Sequence, residues 1–168
     1  MKDQYSMPSK AIYPGSFDPV TYGHLDLIKR GVKIFDHVIV AVAEHTSKAS
    51  LFSTAERVEM MKRVTRGIKG VSVVSFGGLI VNFARKNKVP VLIRGLRMIS
   101  DFEYELQMAL TNRRLDNHIE TVFLMPSEGY SFLSSTLIKE AAVLGADVST
   151  FVPDFVAQKL SQRVKANR

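Results

Sequence analysis

Apolar residues along this chain switch repeatedly between a period of about two and one of about 3.6, and the switches lay out its elements. Ala11-Ile12-Tyr13 predicts a short strand that stops at Pro14-Gly15, a strong turn signal. Leu25, Ile28, Val32 and Phe35 recur at helical spacing, which predicts a helix over about His24–Phe35 with one buried face. His37–Ala43 is Val-rich and apolar on both faces, the pattern of a strand buried in a parallel sheet. Ser53-Thr54-Ala55-Glu56 is a capping box opening a helix with Val58, Met61 and Val64 inward. Val71–Phe76 reads as a strand, Leu79–Asn87 as a short helix, and Val89–Ile93 as a strand ending at Arg94-Gly95-Leu96-Arg97. Ser100-Asp101-Phe102-Glu103 is a second capping box, opening a long helix with Phe102, Leu106, Ala109 and Leu110 on one side. Thr121–Met125 is a further strand, Ser134-Ser135-Thr136 opens another helix, and a last helical segment covers about Asp154–Val164.

Strands and helices thus alternate from end to end without a linker, repeat or low-complexity stretch. The fold class is α/β: a single-domain, doubly wound parallel sheet, Rossmann-like, with right-handed crossovers. Such sheets bind ligands beyond the carboxyl ends of the strands, near the switch in strand order. Four polar clusters fall at predicted strand ends: Ser16–His24, Glu44–Lys48, Arg94–Arg97 and Tyr130–Thr136. They can meet in one cleft although they lie far apart in sequence.

Composition narrows the class. A chain of 168 residues, 46% hydrophobic, suits one domain with an ample core, over 1–168. The absence of cysteine excludes disulfides and fits a reducing compartment. The longest wholly apolar run, Val38–Ala43, is far short of a membrane span, and the polar residues 1–9 lack the apolar core of a signal peptide. The expectation is a soluble cytoplasmic protein with no membrane partner. The net charge of +7 invites a nucleic-acid reading, but Lys159, Arg163, Lys165 and Arg168 supply four of the excess charges beyond the last acidic residue, Asp154. Residues 158–168 therefore read as a solvated basic tail, and no Lys/Arg stripe with interleaved aromatics argues for nucleic acid. His37, His45 and His118 are isolated, so no zinc-like spacing exists.

The densest chemistry lies in Pro14-Gly15-Ser16-Phe17-Asp18-Pro19-Val20-Thr21-Tyr22-Gly23-His24, between the first strand and the first helix. A tight turn, two hydroxyls, an imidazole and a helix amino terminus with its unpaired N–H groups together suit a polyphosphate.

Here the sequence resembles the nucleotidylyltransferase superfamily, whose Thr- or His-x-Gly-His signature Thr21-Tyr22-Gly23-His24 matches. Tyr13–Pro19, Ile93–Arg97, Asp101–Glu105 and Ser134-Ser135-Thr136 narrow the resemblance to the bacterial phosphopantetheine adenylyltransferases, in order, over roughly Ala11–Phe155. The resemblance implies transfer of the adenylyl group of ATP to 4′-phosphopantetheine, giving dephospho-coenzyme A and pyrophosphate. The attack is in line, without a covalent enzyme intermediate. It implies Mg²⁺ arriving with ATP, no protein-built metal site, and a homohexamer.

Carried over residue by residue, the resemblance gives His24 as transition-state stabiliser, with Lys48 and Arg97 as catalytic cations. Ser16, Lys48, Ile80 and Arg94 would bind phosphopantetheine. Ser16, Phe17, His24, Gly95, Leu96, Arg97, Glu105 and Tyr130-Ser131-Phe132-Leu133-Ser134-Ser135-Thr136 would bind ATP. The chain departs from many relatives at Ala49, where they carry a second basic residue, at Tyr130 (Trp) and at Thr136 (Ser). The competing readings are a relative acting on nicotinate mononucleotide or glycerol 3-phosphate, a non-catalytic nucleotide sensor, and a basic nucleic-acid binder. Arg94 and Asp101–Glu105 argue against the first, the intact signature against the second, and the confinement of charge against the third.

Overall fold

Strands β1 (Lys10–Gly15), β2 (His37–Ala43), β3 (Val71–Phe76), β4 (Val91–Gly95) and β5 (Glu120–Leu124) form one parallel sheet in the order β3-β2-β1-β4-β5. The computed structural model describes residues 10–44 and 50–166. Helices α1 (Tyr22–Ile34), α2 (Thr54–Val64), α3 (Ile80–Asn87) and α4 (Ile99–Leu115) connect successive strands. A 3₁₀ turn at Glu128–Tyr130 and helices α5 (Ser135–Val143) and α6 (Asp154–Ala166) follow β5. The chain winds outward from β1 to β3, crosses back to β4 and winds the other way. The strand order therefore switches between β1 and β4, where a crevice opens beyond their carboxyl ends.

Alternation along β1 divides the core. Ala11 and Tyr13 join a large cluster under α1, α2, α5 and α6, with Ile28, Met61, Ile138 and Leu160. Ile12 faces a smaller cluster with Val81 and Ala84 of α3, Leu92 and Ile119. α4 buries little: among its described side chains only the charged Glu105 is buried, whereas the single buried residue of α5 is the apolar Ile138. The apolar side expected from Phe102, Leu106 and Leu110 faces outward, 46%, 38% and 54% exposed.

Several boundaries shift by one or two residues from expectation, β1 running on through Pro14 and Gly15, α1 starting at Tyr22 and β5 spanning Glu120–Leu124, and three further differences carry more weight. β4 begins at Val91, not Val89: Pro90 has no N–H to give a ladder, and its carbonyl instead accepts from Glu120 N–H at 2.8 Å. Arg94 and Gly95 thus belong to the strand. α4 starts at Ile99 behind Met98, so Ser100 lies inside the helix and not at its N-cap, where the capping-box reading put it. The expected basic tail is α6 as far as Ala166, with Val156, Leu160 and Val164 buried. Arg163 donates to the Leu51 carbonyl at 2.9 Å, pairs with Glu56 and covers the Phe52 ring. Among the described residues no helix is long and apolar enough to cross a membrane.

Candidate active site

α1 starts where the switch point opens. Thr21 is its N-cap, and its hydroxyl accepts from His24 N–H at 3.4 Å. In return, Thr21 N–H donates to His24 Nδ1 at 3.0 Å, completing a capping box with histidine in the place usually held by Glu or Gln. An amide N–H can only donate, so Nδ1 is the acceptor and the neutral ring carries its proton on Nε2. The ring is wedged edge-on against Phe17, centroids 5.0 Å apart. Burial, then Arg97 and Arg94, pull its pKa down to about 3. His24 is therefore a neutral imidazole with a fixed tautomer, and its Nε2–H has no partner among the described residues.

Before the helix the chain makes a tight corner. Phe17 is buried at φ 49°, in the left-handed region that a bulky residue seldom adopts. A Cβ on Gly15 would press on the Phe17 ring at 2.8 Å, so the end of β1 requires glycine. Ser16 is exposed, and its hydroxyl has no partner among the described residues.

The two arginines of the β4 end are both held. Arg94 donates to Glu105 through Nε at 2.7 Å and Nη2 at 2.5 Å, and to the Pro14 carbonyl through Nη1 at 2.9 Å. Burial opposes its charge, but the Glu105 carboxylate outweighs burial and raises its pKa above the usual value. Arg97 reaches Asp101 at 3.0 Å and the Leu133 carbonyl at 2.5 Å. Glu105 and Arg94, assigned by resemblance to different substrates, are thus one ion pair. The one buried residue among the described side chains of α4 thus ties that helix to β4.

Two cavities, each of about 450 Å³, meet at the switch point. The first is lined by Ser16, Phe17, His24, Arg94, Gly95, Arg97, Glu105, Tyr130, Leu133 and Ser134-Ser135-Thr136. The second runs over Leu79 and Ile80 toward Met108 and Lys139. Ser16, Arg94, Tyr104, Ser135 and Thr136 border both. At the start of α5, Ser134 caps the helix and Ser135 donates to the Pro19 carbonyl at 2.8 Å, while the exposed Thr136 hydroxyl has no partner among the described residues. Leu96, Ser131 and Phe132 line neither cavity. Leu96 N–H goes to Leu124 O, the Ser131 hydroxyl to Glu128 O, and the Phe132 ring packs edge-on against Phe151. Lys48 lies outside the described residues. A wider cavity of about 850 Å³ beside the starts of β4 and β5, near Arg85 and Arg113, holds none of the candidate residues.

Sequence reasoning passed over the groups that brace this cleft. Asp18 is buried and accepts from Leu51 N–H, Phe52 N–H and Lys139 Nζ at 2.9, 3.0 and 2.6 Å, joining the corner, the start of α2 and α5. Asp26, two residues beyond His24, accepts from Ser127 N–H at 2.7 Å and the Ser127 hydroxyl at 2.8 Å, fixing the loop that carries Tyr130. Burial alone would raise its pKa, but Ser127 and Arg30 hold it below the usual carboxylate range. Arg57 is fully buried behind Ser16. An Asp in a turn and an Arg on an amphipathic helix carry no local signal that sets them apart from solvated ones.

Comparison with known proteins agrees with this geometry. A family described as cytidylyltransferase-like matches residues 12–141. A phosphopantetheine adenylyltransferase of Caldanaerobacter subterraneus is 55% identical over 155 residues, 92% of this chain and 97% of that one. Among solved structures, a Vibrio parahaemolyticus protein described as a nicotinate-nucleotide adenylyltransferase superposes with a TM-score of 0.69 at 15% identity, covering 96% of this chain and 98% of its own. The nicotinic acid mononucleotide adenylyltransferase of Plasmodium falciparum, complexed with NaAD, gives 0.65 at 14% identity, with 94% and 95% covered. At such identity these two structures establish the shared fold.

Proposed function

The chain belongs to the cytidylyltransferase-like family and, within it, to the phosphopantetheine adenylyltransferases, and from that membership we propose how its cleft performs the transfer. The enzyme moves the adenylyl group of ATP to the phosphate of 4′-phosphopantetheine, a step of coenzyme A biosynthesis. A phosphate oxygen of the acceptor bonds to the α-phosphorus as its bond to the bridging oxygen breaks. The products are dephospho-coenzyme A and pyrophosphate. ATP occupies the first chamber and the pantetheine arm lies over Ile80 in the second. The observation that carries this reading is the wall common to both chambers, where Ser16, Arg94 and Thr136 border donor and acceptor together.

The acceptor needs no base, because the second pKa of a phosphate monoester is near 6 and the nucleophile is ionised at neutral pH. The chain's work is then alignment and charge stabilisation. His24 donates its Nε2–H to the α-phosphate as negative charge gathers there. Its low pKa makes it a hydrogen-bond donor and not an acid. Ser16 and the N–H groups beside it hold the phosphates at the join. Arg94 faces the acceptor phosphate with its fork steadied by Glu105, while Arg97, braced by Asp101 and the Leu133 carbonyl, faces the nucleotide phosphates. Gly95, Tyr130, Leu133 and Ser134–Thr136 enclose the nucleotide. Leu96, Ser131 and Phe132, which line neither chamber, are left out of this wall, and the resemblance assigns Lys48 as a further cation for the phosphates.

Among the described residues lining the first chamber, the carboxylates are Asp101 and Glu105, and both pair with arginines. They leave no free carboxylate pair for a metal, so Mg²⁺ belongs to the nucleotide, held by phosphates and water. The apolar, exposed side of α4 fits contact with further copies, in keeping with a homohexamer built as a dimer of trimers. The cytoplasm, where ATP is abundant, is the compartment this reading assigns.

Pyrophosphate release with ATP and 4′-phosphopantetheine tests the proposal, run beside nicotinate mononucleotide and glycerol 3-phosphate. Turnover with 4′-phosphopantetheine alone is expected. Turnover with another acceptor, or with none, overturns it.

A further inference from the structure

Arg57 lies outside both chambers, yet it is among the most completely buried side chains of the protein. Its guanidinium donates to the Phe52 carbonyl at 3.2 Å, the Ser16 carbonyl at 2.7 Å, the Ala43 carbonyl at 2.8 Å and the Thr54 hydroxyl at 3.0 Å. One planar fork thus binds the end of β1, the end of β2 and the start of α2. Four N–H donors held in one plane are used for this, an array that lysine does not possess.

The Ser16 contact has a directional consequence. In a trans peptide the C=O and the following N–H lie in one plane and point opposite ways, and the Ser16–Phe17 bond is trans. Arg57 draws the Ser16 carbonyl toward the core, so the Phe17 N–H is turned away from the core, on the side of the chamber that Ser16 and Phe17 line. Ala43 provides an internal contrast. Arg57 holds that carbonyl too, and the Glu44 N–H of the same peptide is taken by the Phe76 carbonyl at 2.9 Å. No described residue takes the Phe17 N–H. The left-handed backbone of Phe17, at φ 49°, is a conformation that persists only where its surroundings impose it, and Arg57 and the Phe17–His24 ring contact are what impose it here.

We propose that Arg57 is a positioning residue for the transfer: through the Ser16 carbonyl it aims the Phe17 N–H at the phosphate lying across the join of the two chambers. This rests on the adenylyl-transfer reading above. The guanidinium also places a positive charge behind that peptide, on the far side from the phosphates, which favours an anion in front of it.

The test uses the full-length protein, perdeuterated with ¹⁵N-phenylalanine, and ATP as the probe. In the parent protein the Phe17 amide proton is expected to move downfield on addition of ATP. A Phe17 amide that does not respond overturns the proposal without any variant. Arg57→Lys keeps the charge and loses the fork. It is expected to lower kcat/KM about 10- to 100-fold, mostly in kcat, as misaiming of one donor does, and to abolish the ATP response of Phe17. Leu160→Ala, a buried truncation in α6 remote from the cleft, is the control for lost stability. It is expected to lower Tm and leave kcat/KM within about twofold at temperatures where it stays folded, as for a variant that touches no reacting group. If Arg57→Lys retains kcat/KM, or if it and Leu160→Ala lose activity equally at equal loss of Tm, Arg57 is only structural. Should Arg57→Lys not fold, Thr54→Val removes a single acceptor of the fork. It is expected to show the same pair of effects, about three- to tenfold in kcat; unchanged kcat overturns the proposal. Failure of the parent protein to release pyrophosphate would bring down the functional reading instead, while the Phe17 response to ATP would still decide the role of Arg57.

Discussion

The starts of α1 and α2 are built alike and used differently. Each is a capping box: Thr21 with His24 in one, Ser53 with Glu56 in the other, the N3 side chain returning to the cap's N–H at 3.0 and 2.8 Å. Glu56 satisfies that N–H and turns its other oxygen to Arg163 on α6, so both of its ends serve the scaffold. His24 satisfies the same N–H with Nδ1, and because an imidazole's second nitrogen lies across the ring, Nε2 is left facing the cleft. The local device is the same. What differs is whether the far end of the N3 side chain meets protein or an open cavity, and that is decided by the position of β1 at the switch in strand order.

Making the two boxes chemically identical is the sharpest way to break this contrast. Gln at N3 preserves a capping box, so His24→Gln is expected to keep Tm nearly unchanged. It removes the Nε2–H from the α-phosphate, and loss of one such donor lowers kcat about 10²–10³-fold. Pyrophosphate release and thermal unfolding of the same preparation check both halves. Near-normal turnover would mean that the α1 box, like the α2 box, serves only the fold.

The ion pairs of the two regions extend the contrast, with a somewhat smaller effect. Arg94–Glu105 lines the chambers, whereas Arg163–Glu56 braces α6 against α2. Arg94→Met is expected to lower kcat/KM for 4′-phosphopantetheine about 10- to 100-fold. It also lowers Tm, because Glu105 is left buried without its partner. Adding Glu105→Met should restore Tm, since a matched apolar pair replaces a buried ion pair at little cost. Turnover should not return. Recovery of both together would make the pair structural.

These two comparisons also show how far the sequence could be read. β2 and β3 were legible residue for residue, β2 because a run apolar on both faces admits little besides a buried parallel strand, β3 from its valines although Ser72 and Ser75 interrupt them at the sheet edge. The α2 box was legible because both of its partners sit within four residues. Ser100–Glu103 carries the same letters, yet α4 starts at Ile99 with Met98 as its N-cap, and Asp101 of the pattern pairs with Arg97. The Arg94–Glu105 pair spans a strand and a helix, and the Arg57 fork spans three segments, so neither exists until the topology brings them together. The apolar side of α4 was visible as a stripe, but periodicity does not reveal whether a stripe faces the core or another molecule.

Acidity separates the boxes by pH window, since both lose stability as pH falls. The pKa of His24 is about 3 against an ordinary value of about 6.5. As pH falls below about 6.5, the unfolded chain takes a proton that the native ring refuses, so His24 subtracts stability between about 6.5 and 3. Glu56 also has a lowered pKa, chiefly through the Ser53 N–H, so its contribution is present above the ordinary carboxylate range and is lost as pH drops through its own lowered value. Urea titrations at stepped pH are expected to show His24→Gln flattening the loss that begins near pH 6.5, while Glu56→Gln flattens only the more acid part. A His24 imidazole that titrates near its ordinary value in a two-dimensional NMR pH series would break the assignment of a neutral, Nε2-protonated donor.

The smallest expected effect is at Glu56 itself. Glu56→Gln keeps an acceptor for the Ser53 N–H, so the box stays closed. What it removes is the charge facing Arg163, whose side chain is one-third exposed and whose contacts with the Leu51 carbonyl and the Phe52 ring remain. An ion pair so placed contributes about 0–1 kcal/mol and is screened by salt. The variant should therefore lose one or two degrees of Tm at low ionic strength, as about 0.5 kcal/mol does in a domain of this size, and nothing measurable in molar salt. Its turnover should equal that of the parent protein. With Gln then standing at N3 of both helices in the two variants, the same residue in the same box would lower turnover about 10²–10³-fold at one and leave it untouched at the other. That would locate the chemistry in what the box faces and not in the box.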